Sequence, residues 1–330
     1  MNVIVLAGGR SSEHEVSLDS AAAIRQGLAK GGHTVRDVRI GKDGVWRLGE
    51  TELKLEPAGG LLGADVVFPA LHGPYGEDGT LQGLLEHLDV PYVGPGSLAS
   101  AVCMDKAVCK DRMRQLGIPQ VEYSVIRGEH GRERAEGLGF PVFVKPSRLG
   151  SSVGISRVEN REELETALVE AFRHDSVVLV EKAAPGAEVE CGVLGTGDIL
   201  VSDPGEIVIK DGGWYDYENK YTPGKVELRV PAQISKAATE LVKELARRGF
   251  TGTGCSGMAR IDFFVDGDDV LLSEINTIPG FTATSAYPTL MAKAGIPFTE
   301  LLDRLLQLAV ADHAAATERR LDSRNPRDLG

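Results

Sequence analysis

The chain has 330 residues, a formal net charge of −12 and a pI near 5.2. This length is enough for two or three domains with a sizeable core, and an acidic charge without a basic cluster argues against nucleic acid or an anionic membrane surface as a partner. No apolar run approaches the roughly 20 residues that cross a bilayer, and no basic segment precedes the first strand, so we expect a cytoplasmic protein. The four cysteines have no metal-type spacing and are predicted to be reduced and buried.

The N-terminal part has the pattern of a doubly wound α/β domain with a parallel sheet. A strand over residues 3–7, a Gly-Gly turn and an apolar-periodic helix predict its first unit. Further strands are predicted over residues 35–40 and 66–71, and a short one over residues 91–93. No strand pattern of this part continues beyond that point, so we predict a first domain over residues 1–98.

Two positions in this part are candidates for substrate binding. Glu13 and Glu15 lie at the helix start, where a carboxylate either interacts with the helix dipole or binds the ammonium group of a small amino acid. His72 opens a glycine-rich loop after a strand, which is the position at which α/β folds bind ligands, although a single histidine is often structural. The residues alone leave both alternatives open.

The central part, predicted over residues 99–184, carries two lysines that suit nucleotide phosphates. A helix over residues 99–116 contains Lys106, and Lys145 lies near the end of a strand. The loop over residues 147–154 is rich in glycine and serine, so it can lie close to a phosphate chain and donate backbone N–H groups to it. The Gly-Lys-Ser/Thr order of a P-loop is missing, and a flexible linker is the alternative interpretation.

The next segments predict further contacts to a nucleotide and a lid. The strand over residues 177–182 ends in Glu181 and Lys182, and such an edge suits an adenine ring and a ribose. Glu188 begins another strand and faces the same cleft if its side chains alternate. The segment over residues 210–224 is polar and aromatic, which is typical of an ordered lid that excludes water.

The remaining chain divides into a folded part and a tail. The folded C-terminal part is predicted over residues 185–311 and ends in two helices. From Asp312 the chain is charged and poor in apolar residues, so residues 312–330 are predicted to be disordered.

Within the C-terminal part, residues 260–276 predict a β-hairpin with a three-residue loop, because two β-rich runs flank a Gly/Asp cluster. The predicted pairs are 266 with 270, 264 with 272, 262 with 274 and 260 with 276. Asp262 then faces Glu274, whereas a loop one residue longer would place these acids on opposite faces. The other face is predicted to pack into a core and comprises Ile261, Phe263, Val265, Leu271 and Ile275.

Asp262 and Glu274 are candidate metal ligands. Like charges on directly opposite residues repel unless a cation lies between them, and two carboxylates with Asn276 suit Mg²⁺ better than zinc. The alternative is a half-exposed hairpin whose acids face water. Arg260 and the Pro-Gly turn after the hairpin add polar groups that this alternative does not require.

With these motifs in place, the chain resembles the D-alanine:D-alanine ligases of the ATP-grasp superfamily from Met1 to about Ala311. The segments that carry the resemblance are residues 8–17, 72–82, 104–106, 145–154, 215–221 and 260–285. The resemblance implies a doubly wound N-terminal domain followed by two ATP-grasp subdomains that clasp ATP. It also implies a cytoplasmic homodimer that uses ATP and two Mg²⁺ ions, or Mn²⁺, to join two D-alanines through an acyl phosphate for peptidoglycan synthesis.

The resemblance implies roles in handling the two amino acids. Glu15 would bind the first ammonium in a hydrogen-bonded set with Ser151 and Tyr221, and Arg260 with the Gly280 N–H would form an oxyanion site. The other implied residues are His72 in the substrate pocket, Lys220 near the intermediate, and Ser285 on the second carboxylate.

A second group of implied residues binds the nucleotide and the metal ions. Lys106 and Lys145 would hold phosphates, and the loop that contains Ser152 would cover them. The adenosine contacts implied by the resemblance are Glu181, Glu188 and the backbone near Lys182 and Ala184. The implied metal ligands are Asp262, Glu274 and Asn276.

Three alternatives remain. One is an ATP-grasp ligase for another carboxylate, in which Glu15, Tyr221 and Ser285 would have no joint purpose. Another is a D-alanine:D-X ligase, because Ala286 stands where many relatives carry leucine and leaves room for a larger second substrate. Tyr221 favours an amine nucleophile over a hydroxy acid. The last is a non-catalytic binding module, which should lack some of the lysines and metal ligands.

Overall fold

A computed structural model describes residues 1–128, 132–150, 154–209, 225–282 and 284–322 of the chain. Within these ranges the strands form three sheets, built from consecutive stretches of the chain. Each sheet lies inside one of the predicted parts, residues 1–98, 99–184 and 185–311, while the domain boundaries themselves stay a prediction. None of the helices among the described residues combines the length and apolarity needed to cross a bilayer.

A five-stranded sheet forms the N-terminal part. Its elements are β1 (Asn2–Gly8), α1 (His14–Lys30), β2 (Thr34–Ile40), β3 (Trp46–Leu48), β4 (Thr51–Glu52), β5 (Val66–Pro69) and α2 (Thr80–Leu88). β1 pairs in parallel with β2 and β5, whereas β3 and β4 extend the sheet antiparallel. Val3 and Val5 pack with α1, and Ile4 and Leu6 pack with α2, because side chains of a strand alternate between its faces. Helices on both faces confirm the predicted doubly wound unit.

Two helices, α3 (Ser97–Met104) and α4 (Lys106–Gln115), replace the single helix predicted over residues 99–116. Asp105 separates them because its backbone is extended and its side chain accepts hydrogen bonds from the N–H groups of Ala107 and Val108. An aspartate in this position caps a new helix. The cap places Lys106 in the first turn of α4.

The central part is a four-stranded antiparallel sheet in the order β6-β9-β7-β8. Its elements are β6 (Tyr123–Ile126), α5 (Arg132–Glu136), β7 (Val142–Pro146), β8 (Ser156–Val158), α6 (Arg161–Ala171) and β9 (Val178–Lys182). Leu164 and Leu168 of α6 are buried against Val142 and Val144 of β7. One face of the sheet is therefore closed by α6, and on the other face Ala107 of α4 is buried with Tyr123 and Leu179.

A six-stranded sheet forms the C-terminal part, with the order β13-β12-β10-β14-β15 and β11 paired to β10. Its elements are β10 (Ala187–Thr196), β11 (Asp198–Val201), β12 (Gly205–Ile209), β13 (Val226–Arg229), α7 (Lys236–Gly252), β14 (Gly257–Asp266) and β15 (Asp269–Asn276), followed by α8 (Ala286–Lys293) and α9 (Phe298–Asp322). Helix α7 begins where Ser235 accepts a hydrogen bond from the Ala238 N–H, which is a typical N-cap. Its apolar side, with Val242 and Leu245, is buried against Ile261 and Phe263 of β14.

The hairpin of β14 and β15 confirms two predicted pairs and corrects two. Arg260 lies opposite Asn276 and Asp262 opposite Glu274, as predicted. Between Asp262 and Phe263 the register shifts, and Ser273 is the extra residue of a bulge. Beyond the bulge the pairs are Phe263 with Leu272, Phe264 with Leu271, Val265 with Val270 and Asp266 with Asp269. The predicted pairs 266–270 and 264–272 are wrong because the turn contains two residues instead of three.

The bulge also changes which residues of β15 reach the core. Val270 and Leu272 are buried, whereas Leu271 is only partly buried. Leu271 was predicted to lie in the core, and this is wrong. Because Ser273 is an extra residue in β15, the alternation of side chains shifts by one position between Leu271 and Glu274. Ile261, Phe263, Val265 and Ile275 are buried as predicted.

Helix α9 connects the end of the described chain to its beginning. Leu301, Leu302, Leu305 and Leu306 are buried in the same core as residues of β1, α1 and β5. The helix continues to Asp322, so the predicted disorder is wrong for residues 312–322, and residues 323–330 lie outside the described part of the chain. Disorder was predicted because this segment is charged and poor in apolar residues. A helix that packs along one side also carries charged residues on the other side, so this composition does not exclude a helix.

The cysteines behave as predicted. Cys103, Cys109, Cys191 and Cys255 are all buried free thiols. Cys103 and Cys255 lie with their Sγ atoms 3.8 Å apart, and both belong to the core beneath the C-terminal sheet. They pack as small apolar side chains.

Candidate active site

A cleft of about 840 Å³ is lined by helix and loop residues of the N-terminal and central parts and by strands and loops of the C-terminal part. The N-terminal part contributes Glu13, His72 and Glu77, and the central part contributes Lys106 and Gly150. The C-terminal sheet contributes charged and polar side chains, and the loop after β15 closes one end. These C-terminal residues include Glu190, Arg260, Glu274, Asn276, Gly280 and Ser285.

The charged centre of the cleft lies on adjacent strands of the C-terminal sheet. Arg260 donates from Nε to Asp262 Oδ1 at 2.8 Å and from a terminal nitrogen to Oδ2 at 2.7 Å. Its Nε also lies 3.3 Å from Glu190 Oε1 on β10. Asn276 donates to Asp262 Oδ2 at 2.9 Å. Because Glu190 and Glu274 lie opposite Asp262 on its two neighbouring strands, all three acids point to the same face.

The three predicted metal ligands lie together on this face. Asp262, Glu274 and Asn276 supply two carboxylates and an amide oxygen, which are the hard oxygen donors that Mg²⁺ prefers. Among the described residues no group of three His, Cys, Asp or Glu side chains forms a metal site, and Mg²⁺ commonly takes only one or two carboxylates when substrate phosphates complete its shell. The donor set therefore fits a magnesium ion that binds together with a nucleotide.

Lys106 and Lys145 approach this face from the central part. Lys106 Nζ donates to the Leu149 carbonyl at 2.7 Å and lies 4.0 Å from Glu274 Oε2. Lys145 forms an ion pair with Glu181. Burial opposes the charge of the Lys145 ammonium, but the Glu181 carboxylate outweighs this effect and raises the pKa of Lys145. The two lysines thus bring basic side chains from α4 and β7 toward the acidic face of the C-terminal sheet.

The predicted adenosine contacts lie along β9 and β10. Glu181 is buried and engaged with two lysines, so its carboxylate does not face the cleft as a free acceptor. The Lys182 N–H donates to the Glu122 carbonyl, whereas Ala184 lies in the connection to β10. Glu188 is partly buried, and burial with the nearby Asp262 carboxylate raises its pKa to about 7.

Glu13, and not Glu15, is the carboxylate that lines the cleft. Glu15 is three-quarters exposed and lies 3.5 Å from Lys42 Nζ. Glu13 is buried, and its Oε2 would lie 2.5 Å from a Cβ atom at Gly73 and 2.9 Å from one at Gly150. The prediction for Glu15 is corrected by this placement, because two residues around a helix start point in nearly opposite directions.

His72 lies in the cleft, where it holds the loop after β15. One ring nitrogen lies 3.0 Å from Ser20 Oγ and the other lies 3.0 Å from the Ile278 carbonyl. The same loop is held by Glu77, which accepts from the N–H groups of Ile278 and Gly73 at 3.2 and 2.7 Å. Burial, with the nearby Glu13 carboxylate, raises the pKa of Glu77 to about 8.

Gly280 and Ser285 face each other across this loop. A Cβ atom at Gly280 would lie 3.0 Å from Ser285 Oγ, and Ser285 Oγ accepts from the Thr282 N–H at 2.9 Å. Ser285 also precedes helix α8 as its N-cap. A hydroxyl at a helix N-terminus is a suitable partner for a carboxylate.

Four predicted residues lie outside the described part of the chain. They are Ser151, Ser152, Lys220 and Tyr221. Gly150, the residue before Ser151, lines the cleft beside Glu13.

Sequence reasoning missed Glu77 and Glu190 of the cleft and Lys110 beneath it, and of the two glutamates at the start of α1 it selected Glu15 instead of Glu13. Glu77 lies in the glycine-rich loop in which only His72 was selected. Glu190 follows Glu188 by two residues on β10, so the alternation of a strand already placed it on the same face. Lys110 lies one helical turn after Lys106, which places both on one side of α4.

Comparison with known proteins agrees with this architecture over nearly the whole chain. The family model described as D-ala D-ala ligase N-terminus matches residues 2–61 and 51–95, and the one described as D-ala D-ala ligase C-terminus matches residues 113–307. A D-alanine–D-alanine ligase of Deinococcus radiodurans is 44% identical, with 94% of this chain and 98% of the relative covered. One of Caldicellulosiruptor bescii is 43% identical, with 94% and 95% covered.

Solved structures show the same similarity. The D-alanine–D-alanine ligase from Coxiella burnetii has a TM-score of 0.86 at 34% identity, covering 98% of this chain and 99% of that one. The VanG D-Ala:D-Ser ligase from Enterococcus faecalis has a TM-score of 0.84 at 34% identity, covering 93% and 99%. The fold and the cleft thus define an ATP-grasp enzyme, a class that uses ATP. Within that class, the chain belongs to the D-alanine–D-alanine ligase family.

Proposed function

We propose that this protein joins two D-alanines into D-alanyl-D-alanine for peptidoglycan synthesis, with conversion of ATP to ADP and phosphate. The observation that carries the proposal is the content of one cleft: the buried Glu13 carboxylate, the Arg260–Asp262 pair, and Lys106 beside Glu274. An amino-acid ammonium, a developing oxyanion and a phosphate chain each find a partner of opposite charge there.

The reaction proceeds in two steps. A carboxylate oxygen of the first D-alanine attacks the γ-phosphorus of ATP, which gives D-alanyl phosphate and ADP. The amine of the second D-alanine then attacks the carbonyl carbon, phosphate leaves, and the new amide nitrogen loses a proton. The protein contributes mainly by positioning and by electrostatic stabilisation, as in other phosphoryl transfers.

Each substrate group has an assigned partner in this proposal. Glu13 binds the ammonium of the first D-alanine, and Gly150 lets the adjoining Ser151 approach it. Arg260 and the Gly280 N–H stabilise the oxyanion of the second step. Ser285 binds the carboxylate of the second D-alanine. Lys220 and Tyr221 belong to the lid predicted over residues 210–224, which excludes water from the acyl phosphate.

The nucleotide lies between the central and C-terminal sheets in this proposal. Lys106 and Lys145 bind its phosphates, and Phe264 and Leu271, which pair on the cleft side of the hairpin, provide apolar surface for the adenine ring. Asp262, Glu274 and Asn276 would hold two Mg²⁺ ions, for which Mn²⁺ could substitute. Such ions would supply neutralisation of the charge that develops on the transferring phosphoryl group.

Mass-spectrometric identification of the product tests this function. Purified protein with ATP, Mg²⁺ and D-alanine should give D-alanyl-D-alanine and phosphate, and L-alanine should give neither. Because Ala286 lines the end of the cleft next to Ser285, D-serine is included with D-alanine as a second acceptor. Absence of the dipeptide, or equal turnover of L-alanine, would contradict the proposal. The same proposal includes a cytoplasmic location and a homodimer. Light scattering tests the homodimer.

The two glutamates at the start of α1 give a matched pair of variants. Glu13→Gln should raise the KM for D-alanine at least about tenfold, because a charged partner of the ammonium is lost from a buried site. Glu15→Gln should leave kcat and KM within about twofold, since its carboxylate is exposed and its ion pair with Lys42 is weak. Steady-state kinetics with D-alanine varied distinguishes them. The reverse result would restore Glu15 to the site.

A further inference from the structure

Beneath the cleft, one carboxylate is held between two lysines. Glu181 of β9 is 4% exposed, and its Oε1 lies 2.7 Å from Lys110 Nζ. Its other oxygen pairs with Lys145. Lys110 is only 2% exposed, and its Nζ also lies 5.1 Å from the ring centroid of Tyr123. A fully charged lysine is rarely buried to this degree unless it is paired.

The two lysines that contact Glu181 differ in burial, and this difference separates a lysine that only pairs with Glu181 from one that can also contact a nucleotide. Lys110 lies on α4 one turn after Lys106, and its side chain is only 3% exposed. Lys145 lies on β7, next to β9, and retains a side-chain exposure of 16%. Tyr123 lies opposite Glu181 on β6, so the tyrosine ring and the strand close the space around Lys110.

The sum of the three charges decides how the cluster treats an anion. One glutamate and two lysines carry a net charge of +1 when all three are ionised. Despite burial, which alone would raise it, the pKa of Glu181 is lowered to about 2 by Lys110 first and Lys145 second. Without Lys110, the carboxylate would be neutralised by Lys145 alone, and the pair would present no net charge to a phosphate.

We propose that Lys110 is a positioning residue for nucleotide binding, which neutralises Glu181 so that the positive charge of Lys145 is available to the phosphates of ATP. This inference rests on the proposed role of Lys145 in the ligase reaction. It gives Glu181 a function different from contact with the ribose. It also explains why a lysine occupies a core position of α4 that has no contact with the cleft opening.

The variant Lys110→Met, which keeps the length of the side chain and removes its charge, tests the inference. Isothermal titration calorimetry with ADP and Mg²⁺ should show binding weakened by roughly 10- to 100-fold, as expected when one partner of a buried charge pair is removed. The KM for D-alanine should stay within about twofold of the wild-type value. A core residue with only a structural role would lower the melting temperature without this separation.

The double variant Lys110→Met/Glu181→Gln supplies the second measurement. It removes the buried carboxylate together with the charge of Lys110, so it should fold and should bind ADP within about threefold of wild type, because Lys145 again carries an uncompensated charge. This comparison holds even if Lys110→Met alone does not fold. Lys243→Met is the matched control, because it removes an ion pair with Asp203 outside the cleft, and it should bind ADP normally.

Two results would overturn the inference. One is unchanged ADP binding by folded Lys110→Met, and the other is a double variant whose ADP binding is weakened by tenfold or more, which would instead indicate direct contact between Glu181 and the nucleotide. A wild-type protein that binds no ADP would count against the proposed function itself, so the two failures are distinguishable.

Discussion

Asp262→Asn and Glu274→Gln are each expected to lower kcat for ligation by about 10³-fold or more while the protein stays folded. Both side chains lie on the cleft face of one hairpin, opposite each other across β14 and β15. Each substitution removes a negative oxygen ligand from the site that would hold the Mg²⁺ ions, and such ions contribute several kcal/mol to charge stabilisation in the transition state. Neither residue belongs to the apolar core beneath the sheet, so the fold should persist.

The measurement is phosphate release at saturating ATP and D-alanine over a range of Mg²⁺ concentrations. Asp269→Asn is the matched control, because this exposed residue lies at the turn of the same hairpin, and its activity should equal that of wild type. Circular dichroism melting confirms that each variant is folded. Turnover close to wild type by either Asp262→Asn or Glu274→Gln would end the metal assignment.

Arg260→Lys should lower kcat by roughly 10² to 10³, with a smaller effect on the KM values. The guanidinium of Arg260 donates two parallel hydrogen bonds to Asp262 and approaches Glu190, a fork that a lysine ammonium cannot reproduce. Loss of one oxyanion donor costs about 2.7 to 4 kcal/mol of barrier in well-studied cases. Arg260→Met should be worse than Arg260→Lys, because two acids would then share a face without their cation.

Single-turnover kinetics separates the two steps for the Arg260 variants. If the guanidinium acts on the oxyanion, peptide-bond formation slows more than the first appearance of ADP. Arg229→Lys serves as the control, since Arg229 forms an ion pair with Glu206 toward the edge of the same sheet. Equal activity of Arg260→Lys and wild type would remove the oxyanion role.

The hairpin shows how far a sequence pattern determines a site. Apolar alternation and the Gly/Asp turn predicted the two strands, and the critical pair of Asp262 with Glu274 is confirmed. The predicted loop length and register were wrong. The turn is one residue shorter than predicted and the bulge at Ser273 adds one residue, so Asp262 and Glu274 still pair. The bulge follows from the burial of Leu272 instead of Leu271. This choice is made by packing of the whole sheet, so the local pattern does not predict it.

For other parts of the site, the sequence does not show in which direction a side chain points or which distant residues it meets. Glu13 and Glu15 have the same chemistry in the sequence, and only the start of α1 determines which one enters the cleft. Asp105 ended a helix whose apolar pattern continued through it, because its side chain caps α4. Lys110 and Glu181 come from distant segments, so no local pattern predicts that they meet. Burial and three-dimensional proximity supplied what the local pattern lacked.

The position of α9 also means that the core of the N-terminal part is completed by a helix that is synthesised late. Its leucines fill the core between β1, α1 and β5, although the helix is the last described element of the chain and those elements are among the first. Until α9 has been synthesised, the apolar residues of β1, α1 and β5 that it covers are left partly exposed. Exposed apolar surface of this kind makes an incomplete chain prone to aggregation.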